Sequence, residues 1–474
     1  MNLIWQRFTL STLPLKAYLS SSFLHHITVG LLGSWRKGSI LMQWGDTIGA
    51  ILLCLVYLLA PFVPTSLVGV LLAACFLFWL LLTVSDDTWK QSISTVTPIH
   101  LVVVIYWLVA AAATALSPVK AYALRDLITF SLYLPIFFIS GRVLRSPRLR
   151  SLVITVFLHT SLVVSVYGLR QWFFGAPQLA TWVDPTSSLS KTTRVYSYLG
   201  NPNLLAGYLI AAVIFSCVAI FAWQTWLQKA LAVTMVVVNG SCLILTFSRG
   251  GWIGLVAAIL ALMGLLYYWW SIRMPRFWQV WTPLILLGII LSIFALGIVF
   301  VEPFKERVLS IFADRKDSSN NFRRNVWTAV FQMIDARPWI GIGPGHNAFN
   351  KVYPLYQVPG YSALSAYSIF LEVIVETGFL GLASFLWLLT VSFNTAALQL
   401  QRLRLMQRVE AFWLMGAIAA MVGMLAHGLV DTVWYRPSVN TLWWLMVGLI
   451  ASYWTPLGQN QSQELDSSNS VATL

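Results

Sequence analysis

Glu302-Pro-Phe-Lys-Glu-Arg307, Asp314-Arg-Lys-Asp317, Arg323-Arg324 and Asp335-Ala-Arg337 crowd into one stretch, Glu302 to Ser365, of a chain otherwise mostly apolar. Unpaired charge and open backbone cannot rest in hydrocarbon, where each such group costs several kcal/mol. The stretch therefore reads as a folded cap at one membrane face. Immediately after it, Ala366-Tyr-Ser-Ile-Phe-Leu-Glu-Val-Ile-Val-Glu-Thr-Gly378 re-enters an apolar helix.

Working outward, the 474 residues are 58% hydrophobic and only 10% charged, against about 25% charged in a soluble protein. Mean hydropathy is +0.76. These values define an all-α, polytopic membrane protein. Crossing about 30 Å of hydrocarbon takes about 20 apolar residues. Twelve stretches read as spans: 47–63, 66–84, 98–116, 124–141, 151–169, 202–222, 229–248, 251–270, 281–301, 368–398, 411–430 and 438–455. The 368–398 span is overlong, and a kink is expected near Gly378. The organisation expected is an interfacial N-terminal arm (1–46), nine spans (47–301), a large extracytoplasmic cap between two late helices (302–367), three spans (368–457) and a disordered polar tail (458–474).

The net charge of +14 comes from basic residues placed between spans, not from one patch, so a nucleic-acid partner is not expected and membrane lipid is. Arg142, Arg145, Arg148 and Arg150, then Arg273 and Arg276, then Arg402, Arg404 and Arg408 fall on one side of a twelve-span map, together with both termini. The positive-inside rule makes that side the cytoplasm of a plasma (inner) membrane and places the cap in the periplasm. Arg170, Lys191, Arg194, Arg249, Arg323, Arg324, Arg337, Lys351 and Arg436 then lie outside, with Asp184, Asp314, Asp317, Asp335 and Asp431 as available partners. This is the composition of a basic outer pocket for an anion.

Within that frame, Ser248-Arg-Gly-Gly251 turns between two apolar runs with almost no loop. An arginine at that depth needs a partner or a polar cavity. Its fork suits phosphate, carboxylate or bicarbonate. Asn201-Pro202 has the cap and first-turn residues of a helix start. Arg323 to Ile334 has the apolar spacing of an amphipathic helix, and Gly341-Ile-Gly-Pro-Gly345 is a tight loop whose N–H groups suit an anion nest. Glu372 and Glu376 share one helix face, and salt bridges to outer arginines are expected of them. His427 and Asp431, also four apart, end another span and are candidates to join them. His159 reads as a hydrogen-bonded core residue. Cys54, Cys75, Cys217 and Cys242 read as small core hydrophobes. No metal-ligand spacing or nucleotide motif appears, so neither metal nor cofactor is expected.

In order, Gly200-Asn-Pro-Asn203, Ser248-Arg-Gly-Gly-Trp252, Arg323…Trp327, Gly341–Gly345 with Tyr353, and Leu371-Glu…Glu376-Thr-Gly-Phe-Leu-Gly381 resemble the O-antigen ligase and polymerase superfamily over about residues 195–385. Ser365-Ala-Tyr-Ser-Ile-Phe-Leu-Glu372 and Asp431-Thr-Val-Trp-Tyr-Arg-Pro437 look like its cyanobacterial IctB branch, linked to inorganic carbon accumulation. The branch implies an outward arginine-lined pocket for bicarbonate. The superfamily's ligases imply instead transfer of a glycan from a polyprenyl-diphosphate carrier at the periplasmic face. By that resemblance the arginine role passes to Arg249, Arg323 and Arg194, with Arg324, Arg436 and Tyr353 as further binding candidates. The ligases' His-Asn pair is replaced by Tyr367-Ser368. Candidates for acid–base work are then Tyr367, His346 and Glu376, although a phenol of pKa about 10 is a poor base near neutrality.

Overall fold

The computed structural model describes residues 3–13, 18, 21–23, 29–86, 96–177, 193–300, 302–309 and 318–455. Asp184, Lys191, the run Asp314–Asp317 and the tail from Gly458 lie outside the described residues. Among those described, the regular structure is helical throughout.

Each of the twelve stretches read as a span falls on a helix: α1 (Gly45–Leu59), α2 (Thr65–Val84), α3 (Pro98–Ala115), α4 (Lys120–Val143), α5 (Pro147–Phe174), α6 (Pro202–Ala222), α7 (Trp226–Leu245), α8 (Arg249–Trp270), α9 (Arg276–Phe300), α10 (Ile369–Leu405), α11 (Ala411–Gly428) and α12 (Pro437–Ser452). Nine of these are long and apolar enough to cross a membrane, and α1 is a shorter apolar helix. The chain is a multi-span membrane protein. Helices that are apolar all round belong in the centre of a bundle. So it is here: 83% of the most apolar window of α6 and 78% of that of α11 are buried, against 28% for α2 and α7 at the periphery. α6 packs on α7 and α11, α8 lies along α11, α3 along α10 and α4 along α12. At the α8–α11 crossing the backbones nearly touch, since a side chain on Gly254 would come within 2.7 Å of the Gly423 carbonyl. Small residues permit such close approach between helices.

The cap has its own core. Its principal helix, Ser318–Ala336, buries Val326, Ala329, Val330, Met333 and Ile334 against Ile342, Phe349, Val352, Tyr353 and Val375. The amphipathic pattern is therefore satisfied within the cap and against α10, not by the membrane surface. The expected kink is real. Gly378 sits at φ +68° and ψ −170°, dividing α10 in two. Into the break comes the Pro338–Trp339 turn, whose carbonyls accept the Phe379 and Leu380 amides at 2.8 and 3.4 Å. A Cβ at Gly378 would overlap the Trp339 backbone. Only glycine meets both demands, left-handed φ and no side chain.

Two expectations change. His159 is hydrogen-bonded, its Nδ1 lying 2.8 Å from the Thr155 carbonyl, but it is on the outside of the bundle. Its local partner is what lets it stay there. The glycine loop is not an open nest. Its Ile342 and Gly343 amides donate to the Val375 and Glu376 carbonyls, both at 2.9 Å. Beyond it, the Asp126 carboxylate of α4 accepts from the Asn347 amide (2.8 Å), Asn347 Nδ2 (2.6 Å) and the Ala348 amide (3.2 Å). An internal carboxylate thus fills the anion position at the start of the short helix His346–Val352.

Candidate functional site

The site is assembled where α6 and α8 begin and α11 ends. Asn201 caps α6 as expected, its side chain accepting from the Asn203 and Leu204 amides at 2.8 and 3.4 Å. The segment ahead of it runs beside the end of α7, with the Val195 amide on the Leu245 carbonyl. That course brings Arg194 Nε to the Thr246 carbonyl at 2.9 Å and Arg194 Nη2 to Asn203 Oδ1 at 3.1 Å. Ser197, at φ +49°, is pinned by its amide on Gln171 Oε1 (2.8 Å) and its hydroxyl on the Val164 carbonyl (2.6 Å). Phe247 (φ +51°) and Tyr367 (φ +51°) are left-handed too. Three strained non-glycine residues beside one cluster are a mark of a site whose geometry is enforced.

Arg249 is the first residue of α8 and is buried, 7% exposed. Ser248 caps that helix by accepting the Gly251 amide at 3.2 Å. From the cap, Arg323 reaches down: its Nη2 lies 3.5 Å from Asp431 Oδ2, and its Nη1 donates to Ser319 Oγ at 2.9 Å. Asp431 is buried and also accepts Asn203 Nδ2 at 2.6 Å. A chain of polar contacts, Arg194–Asn203–Asp431–Arg323, therefore joins loop, bundle and cap. Arg194 feels the whole cluster. Burial lowers its pKa to about 10, Asp431 opposes that, and the charges of Arg249 and Arg323 reinforce it. Arg194 thus lies within electrostatic range of both other guanidiniums, and Asp431 ties in Arg323 directly and Arg194 through Asn203.

Tyr367 belongs to the same neighbourhood. Its ring meets Phe322 edge-on at 5.4 Å. Burial, then Asp431, Tyr435 and Glu372, push its hydroxyl up to about 12, with Arg323 opposing. A phenol so placed is protonated near neutrality. Glu372 does not form the expected salt bridge. Its Oε2 accepts the Ala366 amide at 2.6 Å and Thr432 Oγ1 at 3.4 Å, which fixes the loop carrying Tyr367. Glu376 faces the Gly345 amide, away from the arginines.

The remaining candidates lie elsewhere. Arg324 is exposed, pointing off the cap helix whose buried face includes Val326 and Val330. Arg436 is exposed at the start of α12, lining a shallow cleft with Pro61, Val63, Tyr198 and Leu199. Tyr353 is buried in the cap core with its hydroxyl on the Tyr361 carbonyl at 2.6 Å, and His346 is exposed. Asp126 and Ser319 escaped the sequence reading, although an acid inside an apolar run is a signal in itself.

Residues 230–386 match the family described as O-Antigen ligase. Over that stretch the chain is similar to O-antigen ligases. The matched stretch holds Arg249, Arg323, Tyr367, Glu372 and the glycine loop. Arg194, Asn203, His427 and Asp431 of the ligase-like chain fall outside it and join the site only in three dimensions. No curated protein matches the chain.

Proposed function

We propose that the ligase-like chain holds the diphosphate of a polyprenyl-linked glycan on Arg194, Arg249 and Arg323, and hands the glycan to an acceptor at the periplasmic face. One observation carries this reading: Arg323 pairs with Asp431, Asn203 links that carboxylate to Arg194, and Arg194 lies within electrostatic range of both Arg249 and Arg323. That excess of positive charge suits a diphosphate, whose oxygens take forked, charge-assisted hydrogen bonds. In the transfer, an acceptor hydroxyl attacks the anomeric carbon and gives up its proton to water. The bond to the carrier oxygen breaks, and the diphosphate leaves with the bonding pair. The arginines stabilise the charge that grows on that leaving group. The arrangement of an N-terminal arm, nine spans, a periplasmic cap and three further spans belongs to the same proposal, as do cytoplasmic termini.

Bicarbonate, which the IctB resemblance implies, would engage the same groups. The family match favours the glycan carrier. The two readings separate in proteoliposomes given a polyprenyl-diphosphate glycan with acceptor or, in a parallel arm, bicarbonate. The expectation is glycan transfer that falls about 30- to 150-fold in Arg249→Ala and Arg323→Ala, the loss of one charge-assisted contact of about 2–3 kcal/mol. Transfer indifferent to both substitutions, or bicarbonate flux without transfer, overturns the reading.

A further inference from the structure

His427, near the end of α11, is fully buried, and neither of its ring nitrogens has a hydrogen-bond partner among the described residues. A neutral imidazole carries one N–H donor and one bare acceptor. Leaving such groups unpaired in the interior costs about 1–3 kcal/mol each. A phenylalanine or leucine would fill the space at no such cost, so a polar ring there calls for a reason.

The surroundings are shaped to the ring. A side chain on Gly250 would come within 2.7 Å of its Cδ2 and 3.2 Å of its Nε2. One on Gly207 would come within 3.4 Å of Nδ1, and one on Gly254 within 3.1 Å of Cβ. Gly207 lies one helical turn beyond Asn203 on α6, and Gly250 follows Arg249 on α8. The imidazole therefore lies directly beneath the layer of Arg194, Asn203, Arg249 and Asp431. It is within electrostatic range of Asp431 and Arg323. The other titratable or charged groups facing this region are Arg249 on α8, Arg194 ahead of α6, Tyr208 on α6 and Glu372 on α10, the last through Thr432.

We infer that His427 is the proton-holding floor of the anion site, taking a proton from solvent onto a ring nitrogen when a diphosphate settles on the guanidiniums above. This rests on the anion-binding reading. The groups above the ring, three guanidiniums and the Asp431 carboxylate, leave an excess of positive charge, although Asp431 and Arg323 act on the ring with opposite signs. A bound diphosphate reverses the local sign of charge, and the low dielectric magnifies the reversal. By linkage, the bound anion raises the proton affinity of the ring, and protonation raises the affinity for the anion by the same factor. Anion binding then tightens as pH falls.

The test is calorimetric titration of the full-length protein in nanodiscs with a short-chain polyprenyl diphosphate at pH 7, in two buffers of different ionisation enthalpy. The wild type should take up more protons per diphosphate than His427→Phe, by up to about one, since a neutral ring can bind one proton. His427→Phe keeps the ring and removes both orphan nitrogens, so its melting temperature should equal or exceed that of wild type, an outcome foreign to a merely structural histidine. His427→Gln serves if the larger phenyl ring overfills the cradle. Equal proton uptake in the wild type and either folded variant overturns the inference while leaving the anion site standing. A wild type that binds no diphosphate overturns the anion site itself, and this inference with it.

Discussion

Replacing Asp431 by alanine removes the carboxylate that pairs with Arg323 and holds Asn203, and the size of the effect follows from those contacts. Its Oδ2 takes Asn203 Nδ2 at 2.6 Å and stands 3.5 Å from Arg323 Nη2. The side chains of the ion pair are only 17% and 8% exposed, so solvent screens them little. Unit charges at that separation attract by about 5 kcal/mol at an effective dielectric of about 20. Desolvation offsets part of this, and breaking such a pair costs about 3–5 kcal/mol because the surviving charge is left buried. Asp431→Ala should therefore lose about 3 kcal/mol, read as a lowered midpoint of thermal unfolding in detergent. Pyrophosphate supplies the missing negative charge. At about 100 times the variant's dissociation constant it should restore about 2.7 kcal/mol, a larger shift than wild type shows at that same concentration, since its carboxylate competes for the same guanidinium. A variant as stable as wild type without anion, or one whose pyrophosphate shift matches that of wild type, refutes the charge argument.

Gly378→Ala should cost about 3 kcal/mol or more and fail to yield a stable fold, since the added methyl meets the Trp339 backbone at a left-handed φ; fluorescence-detected size exclusion reads this directly. Asp126→Asn should weaken the anchoring of His346–Val352, with faster amide hydrogen exchange at Asn347 and Ala348, whose amides the carboxylate now accepts. Tyr367→Phe should leave glycan transfer within about twofold from pH 6 to 9, because the hydroxyl, pushed up to about 12, stays protonated across that window; a tenfold loss would restore the tyrosine as a proton acceptor. The same shift gives stability that is fully present below pH 10 and declines as pH rises from there towards about 12, a decline that Tyr367→Phe should abolish. His346→Cys, at an exposed cap position, should react with an impermeant maleimide only from outside the cell, and labelling confined to the cytosolic face would invert the topology.

The helices were legible because burying apolar surface in lipid needs long uninterrupted runs, and each of the twelve runs fell on a helix. Local backbone chemistry was legible as well: Asn201 caps its helix and Gly378 breaks its own. Partner choice was harder to read. Glu372 looked like half of a salt bridge, yet the Ala366 amide lies six residues back on the same loop and satisfies it at 2.6 Å. Asp126 drew no notice because its three donors come from the far side of the cap, more than 200 residues away in sequence. Spacing along one helix predicts which groups share a face, but it cannot say which groups arrive from another element.

Two of the contacts between the cap and the bundle explain why the site crosses the boundary between them. One anchor is rigid: the Pro338–Gly345 turn is threaded through the break at Gly378 and pinned by Asp126 beyond it. The other is the Arg323–Asp431 contact, longer at 3.5 Å and charged. An anion that settles on Arg323 competes with Asp431 for the same guanidinium, so occupancy weakens the second anchor and leaves the first untouched. The cap helix Ser318–Ala336 would then yield at its Arg323 end while its Ile334 end stays fixed. On the proposed reading, the proximity of Arg323 to Arg194 and Arg249 would do two things at once: concentrate positive charge for the diphosphate, and make that end of the cap the part that responds to it.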